Sequence, residues 1–157
     1  MSIVTIIGSG MMGSAMARPA SDNGHAVRLV GSPLDDAIIA AVKAGKDHPT
    51  LKRNFAGVAK AYYITELEEA LKGAEVVVAG ISSFGVDWFT ANVLPVLPKN
   101  VLVVSITKGM RLEADDRLEV YPHHFASKRP DLNFVAVGGP CILLELFDRR
   151  HTRVYYC

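Results

Sequence analysis

Residues 3–13 read Ile3-Val4-Thr5-Ile6-Ile7-Gly8-Ser9-Gly10-Met11-Met12-Gly13, an apolar run of five followed at once by a Gly-x-Gly-x-x-Gly spacing. The run is too short for a helix and is rich in β-branched residues, so it reads as a buried strand. Glycines recur in turns of every kind, and the spacing alone says little. Here it leaves a strand and opens a helix that Asn23 and Gly24 can end, which is the setting a dinucleotide-binding turn requires. In that setting Gly8 permits the tight turn, Gly10 lets the backbone approach a pyrophosphate, and Gly13 lets helix and strand pack closely. The free amides and positive end of the helix then face the phosphates. An ordinary strand-to-helix turn is the plainer alternative.

Outward from this stretch, short apolar runs alternate with segments of helical period, the pattern of a parallel sheet covered on both faces. Residues 26–30 are the second expected strand. Ser32 as N-cap, Pro33 at the first helical position and Asp35 and Asp36 in the first turn predict a helix whose buried stripe is Leu34, Ile38 and Val42. A polar stretch over 45–60 has no period and reads as loop. A short strand over 62–64 follows, then a helix with Thr65 and Glu68 as capping box and Gly73 as its stop. Strands are expected at 75–81, 101–106, 134–137 and 153–156, and helices at 84–94 and 142–150. Residues 115–128 read as weakly helical, interrupted by Pro122. The unbroken apolar character of 101–106 predicts a central strand. The fold class is therefore α/β, a Rossmann-type doubly wound and mainly parallel sheet, with ligands at the carboxyl ends of its strands.

The 157 residues are half hydrophobic, with a formal net charge of +1, which suits one domain over 1–157 with one core. Interspersed charges leave no footprint for nucleic acid or an anionic membrane. No apolar stretch approaches the length of a membrane span and residues 1–7 lack a signal peptide, so a soluble, cytoplasmic protein is expected. Cys141 and Cys157 make no CxxC pair and fit a reducing compartment. His123 and His124 lack metal-ligand spacing and Arg149-Arg150-His151 reads as a solvated helix end, so no metal is expected. The chain stops at Val154-Tyr155-Tyr156-Cys157, inside an apolar strand pattern, and reads as cut short, with a missing domain or a second copy as partner.

Three sites outside the glycine turn carry chemistry. The second strand ends Val30-Gly31-Ser32, without the acidic residue that usually holds an adenosine ribose; no arginine replaces it, and Asp35 and Asp36 would repel a 2'-phosphate, which favours NAD over NADP. Thr107-Lys108-Gly109-Met110 follows the strand over 101–106, and Lys108 there is the candidate catalytic residue. Gly138-Gly139-Pro140-Cys141 repeats the arrangement, a strand end turning into a helix.

Taken together, these residues resemble the N-terminal domain of NAD(P)-dependent glycerol-3-phosphate dehydrogenases, on the glycine turn, Asp22-Asn23-Gly24-His25, Thr107-Lys108-Gly109, and Gly139-Pro140 followed by Glu145. The resemblance covers essentially the whole chain. It implies that Gly8, Ser9, Gly10, Met11, Met12, Gly13, Ser32 and Phe84 line the cofactor, that Lys108 touches cofactor and substrate, that Gly139 and Cys141 border a small phosphorylated substrate, and that Leu143 lies on the nicotinamide side. Met12 stands where an aromatic ring is common, Ile81 where proline is common, Leu143 where a small residue is usual, and Cys141 where a hydroxyl or amide is usual. A thiol is a poorer donor than a hydroxyl. The family also has a helical C-terminal domain with a second lysine and the grip on the substrate phosphate, absent from these residues. Two other functions remain open: a related reductase of another small keto substrate, and a non-catalytic nucleotide-binding module.

Overall fold

The computed structural model describes residues 1–113 and 115–157. Its frame alternates strand and helix: β1 (Ile3–Ile7), α1 (Met11–Asp22), β2 (Ala26–Val30), α2 (Asp36–Lys43), β3 (Lys60–Tyr62), α3 (Leu67–Leu71), β4 (Val76–Ala79), α4 (Val86–Asn92) and β5 (Leu102–Ser105). A ribbon of β6 (Met110–Leu112) and β7 (Leu118–Val120) follows, then α5 (Tyr121–Lys128), β8 (Asn133–Gly138), α6 (Leu143–Phe147) and β9 (Tyr155–Tyr156). The main sheet runs β3-β2-β1-β4-β5-β8-β9. Every neighbour in it is parallel except β9, which pairs antiparallel with β8. The order reverses at β1, between its neighbours β2 and β4, the switch point at which doubly wound sheets hold ligands. β5 is flanked on both sides, as its apolar run predicts.

Alternate residues of each strand serve two apolar layers, because successive side chains point to opposite faces. Ile7, Val77, Ala79 and Val103 pack beneath α3, α4 and α5 through Leu71, Phe89 and Phe125. Ile6, Leu29, Val78 and Val104 pack on the other face with Ala15, Ile39 and Phe147. Thr5, fully buried, donates its hydroxyl to the Ala70 carbonyl at 2.7 Å, satisfying the one polar side chain of β1.

The structure corrects several local expectations. Ser32 is not a helix cap: residues 32–35 form a turn closed by the Asp35 amide on the Ser32 carbonyl at 2.9 Å, and α2 begins only at Asp36. Leu34 is consequently 92% exposed, and Ile39 is the buried anchor of α2. The third strand lies at 60–62, and the cap of the following turn is Glu66, whose carboxylate accepts from the Tyr63 amide at 2.7 Å. The expected weak helix over 115–128 divides into β7 and α5, with Pro122 in the first turn of α5, where its missing N–H costs nothing. α6 stops at Phe147, and Arg149 just beyond it takes a positive φ of 60° and pairs with Asp22 at 2.6 Å. Among the described residues no helix is long and apolar enough to cross a membrane.

Candidate functional site

The three glycines of the first turn do two different jobs. A Cβ on Gly13 would lie 2.2 Å from the Gly8 carbonyl oxygen, and one on Gly8, at φ 102°, would lie 2.5 Å from the Gly80 oxygen. These residues therefore lock the turn, α1 and the end of β4 at backbone contact. A Cβ on Gly10 would meet nothing within 4 Å. That open side faces a cleft of about 420 Å³ bordered by Gly8 and Gly10, by Ser32, Leu34 and Asp35 after β2, and by Ile81, Phe84 and Trp88 after β4. Gly10 is also the residue preceding α1, so the first amides of that helix, without intrahelical partners, begin at the cleft.

Asp35 supplies the acid that the end of β2 lacks. Its Oδ2 accepts from the Ser32 amide at 2.8 Å and from the Ser9 amide at 3.1 Å, so a carboxylate joins the two turns at the cleft edge. Sequence reasoning placed Asp35 in a helical first turn; the contact arises because residues 32–35 fold back as a turn instead. Phe84, 98% exposed, and Leu34 form apolar lips on opposite sides of the cleft.

Lys108, Gly139 and Cys141 come together beside this cleft, at the carboxyl ends of β5 and β8. The Thr107 hydroxyl donates to the Ile81 carbonyl at 2.8 Å, tying the loop after β5 to the cleft wall. The exposed Lys108 Nζ donates to the Gly139 carbonyl at 3.3 Å, and the Cys141 amide donates to the same carbonyl at 3.1 Å. Gly139, at φ 108°, packs against the Tyr155 ring. Cys141 is half-buried and free. Met11 and Met12 stand in the first turn of α1, and Leu143 opens α6 and packs on the core; none of the three lines the cleft.

A groove of about 460 Å³ lined by Ser2, His25, Val76 and Tyr156 lies at the opposite, amino end of β1 and β2. The cleft is the better ligand site because only it receives the helix amides. Folding also gathers Glu113, Glu119 and His124, whose ligand-type atoms lie within 4.8 Å of one another. Arg111 already fills this cluster with positive charge: its Nε is 2.8 Å from Glu113, and one terminal nitrogen is 2.8 Å from Asp87 and 3.2 Å from His124 Nε2. Burial, then the Arg111 guanidinium, hold the His124 pKa below its ordinary value. We read it as an ion network that pins the ribbon to α4 and α5.

The family model for the NAD-dependent glycerol-3-phosphate dehydrogenase N-terminus matches residues 3–156. The NADP(+)-dependent glycerol-3-phosphate dehydrogenase of Archaeoglobus fulgidus is 36% identical over 156 residues, covering 98% of this chain and 46% of that protein. A glycerol-3-phosphate dehydrogenase [NAD(P)+] of Shouchella clausii is 28% identical, covering 96% and 44%. The crystal structure of glycerol-3-phosphate dehydrogenase from Coxiella burnetii superposes with a TM-score of 0.81 at 22% identity, over 99% of this chain and 46% of that one. The chain thus spans somewhat under half the length of the relatives it matches.

Proposed function

The chain belongs to the family of the NAD-dependent glycerol-3-phosphate dehydrogenase N-terminus, and from that premise we propose that it binds NAD(H) and forms the cofactor half of an enzyme interconverting glycerol 3-phosphate and dihydroxyacetone phosphate. The observation that carries this is the turn itself. Gly8, Gly13 and Gly80 are locked at backbone contact while Gly10 alone is left open toward the cleft, which is the shape a pyrophosphate needs. Gly8 to Gly13 hold the phosphates, Ser32 and Asp35 meet the adenosine ribose, and Phe84 covers the adenosine. Met11, Met12 and Leu143, which do not border the cleft itself, are assigned to the cofactor's surroundings by the family resemblance alone.

The nicotinamide supplies the hydride when bound. The chain's own part is positioning and charge: the Lys108 ammonium, tethered to Gly139, would sit beside the substrate oxygen and stabilise negative charge as it develops there. Gly139 and Cys141 border the substrate.

Asp35 favours NAD, because a 2'-phosphate at Ser32 would meet a carboxylate already bonded to that amide. The Archaeoglobus relative, named for NADP(+), favours the other cofactor. Titration with NADH and NADPH decides. NADH is expected to bind at least about tenfold more tightly, and Asp35→Asn to narrow that gap, tenfold being 1.4 kcal/mol. Tighter binding of NADPH by the unaltered chain would give the preference to NADP.

A further inference from the structure

Ser9 is gripped through both of its backbone polar groups. Its amide donates to Asp35, and its carbonyl accepts from the Ser14 hydroxyl at 3.0 Å and lies 2.9 Å from His48 Nε2. His48 is completely buried, in a stretch whose sequence has no period. Its other ring nitrogen, Nδ1, faces the backbone amides of Leu51 at 3.1 Å and Thr50 at 3.3 Å. Two N–H donors require Nδ1 to be an acceptor, so the ring proton is on Nε2, where the Ser9 carbonyl at 2.9 Å is a nearer acceptor than the Ser14 hydroxyl at 3.1 Å.

The support behind His48 is built rather than loose. Leu51, Phe55 and Val58 are buried, the Phe55 ring packs against His48 and Phe147, and Arg53 makes a two-pronged pair with Asp148, both contacts at 2.7 Å. A trans peptide is planar, with its C=O and N–H directed oppositely. Holding the Ser9 carbonyl inward therefore directs the Gly10 N–H outward, and Gly10 borders the cleft. A flipped peptide would present a carbonyl to the phosphates instead, and a glycine at position 10 does little to resist that flip.

We infer that His48 is a positioning residue for the phosphate-binding turn, fixing the Ser9–Gly10 peptide so that its N–H serves the pyrophosphate. The inference rests on the cofactor reading above. Two substitutions separate the two ring nitrogens. His48→Gln places an amide donor near the Nε2 position and loses the acceptor for Leu51 and Thr50; His48→Asn does the reverse. NADH affinity can be read from quenching of Trp88, the single tryptophan and a residue of the cleft wall, and thermal stability from circular dichroism without ligand. His48→Asn is expected to weaken NADH binding about tenfold and His48→Gln less than about threefold, while the Gln variant loses at least as much melting temperature. Affinities equal to wild type in both variants, or falling in step with melting temperature, would overturn the inference. Should either variant fail to fold, Ser14→Ala removes the other donor on the same carbonyl, together with the hydroxyl 3.1 Å from His48 Nε2, without touching Leu51 or Thr50. It should weaken binding about threefold, and unchanged affinity there overturns the inference equally. A wild-type chain that binds neither NADH nor NADPH removes the cofactor reading itself, and this inference with it.

Discussion

Lys108 is the residue whose position and chemistry agree most simply. It follows the interior strand β5, its ammonium reaches the Gly139 carbonyl at 3.3 Å, and Gly109 after it needs its φ of 121° to turn away beside Tyr121. Lys108→Ala should still bind NADH, since the pyrophosphate contacts of residues 8–13 remain. Joined to the helical half of a relative, the same variant should lose about 10²-fold to 10³-fold in kcat, the usual cost of one donor at a developing oxyanion. Near-normal kcat would return Lys108 to the ordinary role of a surface lysine. The placement of Gly8, Gly10, Gly13 and Lys108 beyond strand ends was legible in the sequence because it depends on neighbours along the chain: strand, turn, helix. The grip of Asp35 and His48 on the glycine turn was not. Their contacts with Ser9 span 26 and 39 residues and depend on where a turn and an unpatterned loop are folded, which no local period records.

Among the elements, most parallel strands were placed correctly, since largely buried runs such as residues 76–79 and 102–105 have no other place in a chain of this size, though these two were read a few residues too long. The β6–β7 ribbon was missed. Its apolar residues Met110, Leu112, Leu118 and Val120 fall on one exposed face by register, and Arg111 and Glu119 fall on the other, so its alternation imitates a weak helix over so short a length. The ion network beneath it makes stability depend on pH. His124 binds its proton less readily folded than unfolded, so its contribution is complete above its unfolded pKa of about 6.5 and is lost as pH falls through the lower folded value. Melting temperature should therefore fall between pH 7.5 and pH 5.5, and His124→Gln should flatten that fall. An identical slope in the variant would remove His124 as the cause.

Across the whole molecule, the exposed apolar face of the ribbon lies in the loop region that begins at Lys108, and Ile142 and Leu144 are exposed just after Cys141. Exposed apolar residues on one ribbon face mark a surface suited to a partner. We expect the isolated chain to self-associate, with a sedimentation coefficient that rises with concentration, and Leu112→Glu to shift it toward monomer. A concentration-independent monomer would refute this. The two apolar layers and the doubly wound order followed from strand-helix alternation; the location of the exposed apolar face on the ribbon did not, because exposure is settled only once both faces of the sheet are assigned. The most direct test of the central claim is calorimetric titration of NADH into the wild-type chain and into Gly10→Val, with Gly13→Ala as control. A Cβ at Gly10 meets only open space, so Gly10→Val should stay folded, losing about 1 kcal/mol at most as a poorer helix cap, yet bind NADH more than tenfold more weakly or not at all. Gly13→Ala, with its Cβ 2.2 Å from a backbone oxygen, should instead lose about 1–3 kcal/mol of stability or more. Wild-type affinity in a folded Gly10→Val chain would contradict the claim that this turn holds the dinucleotide.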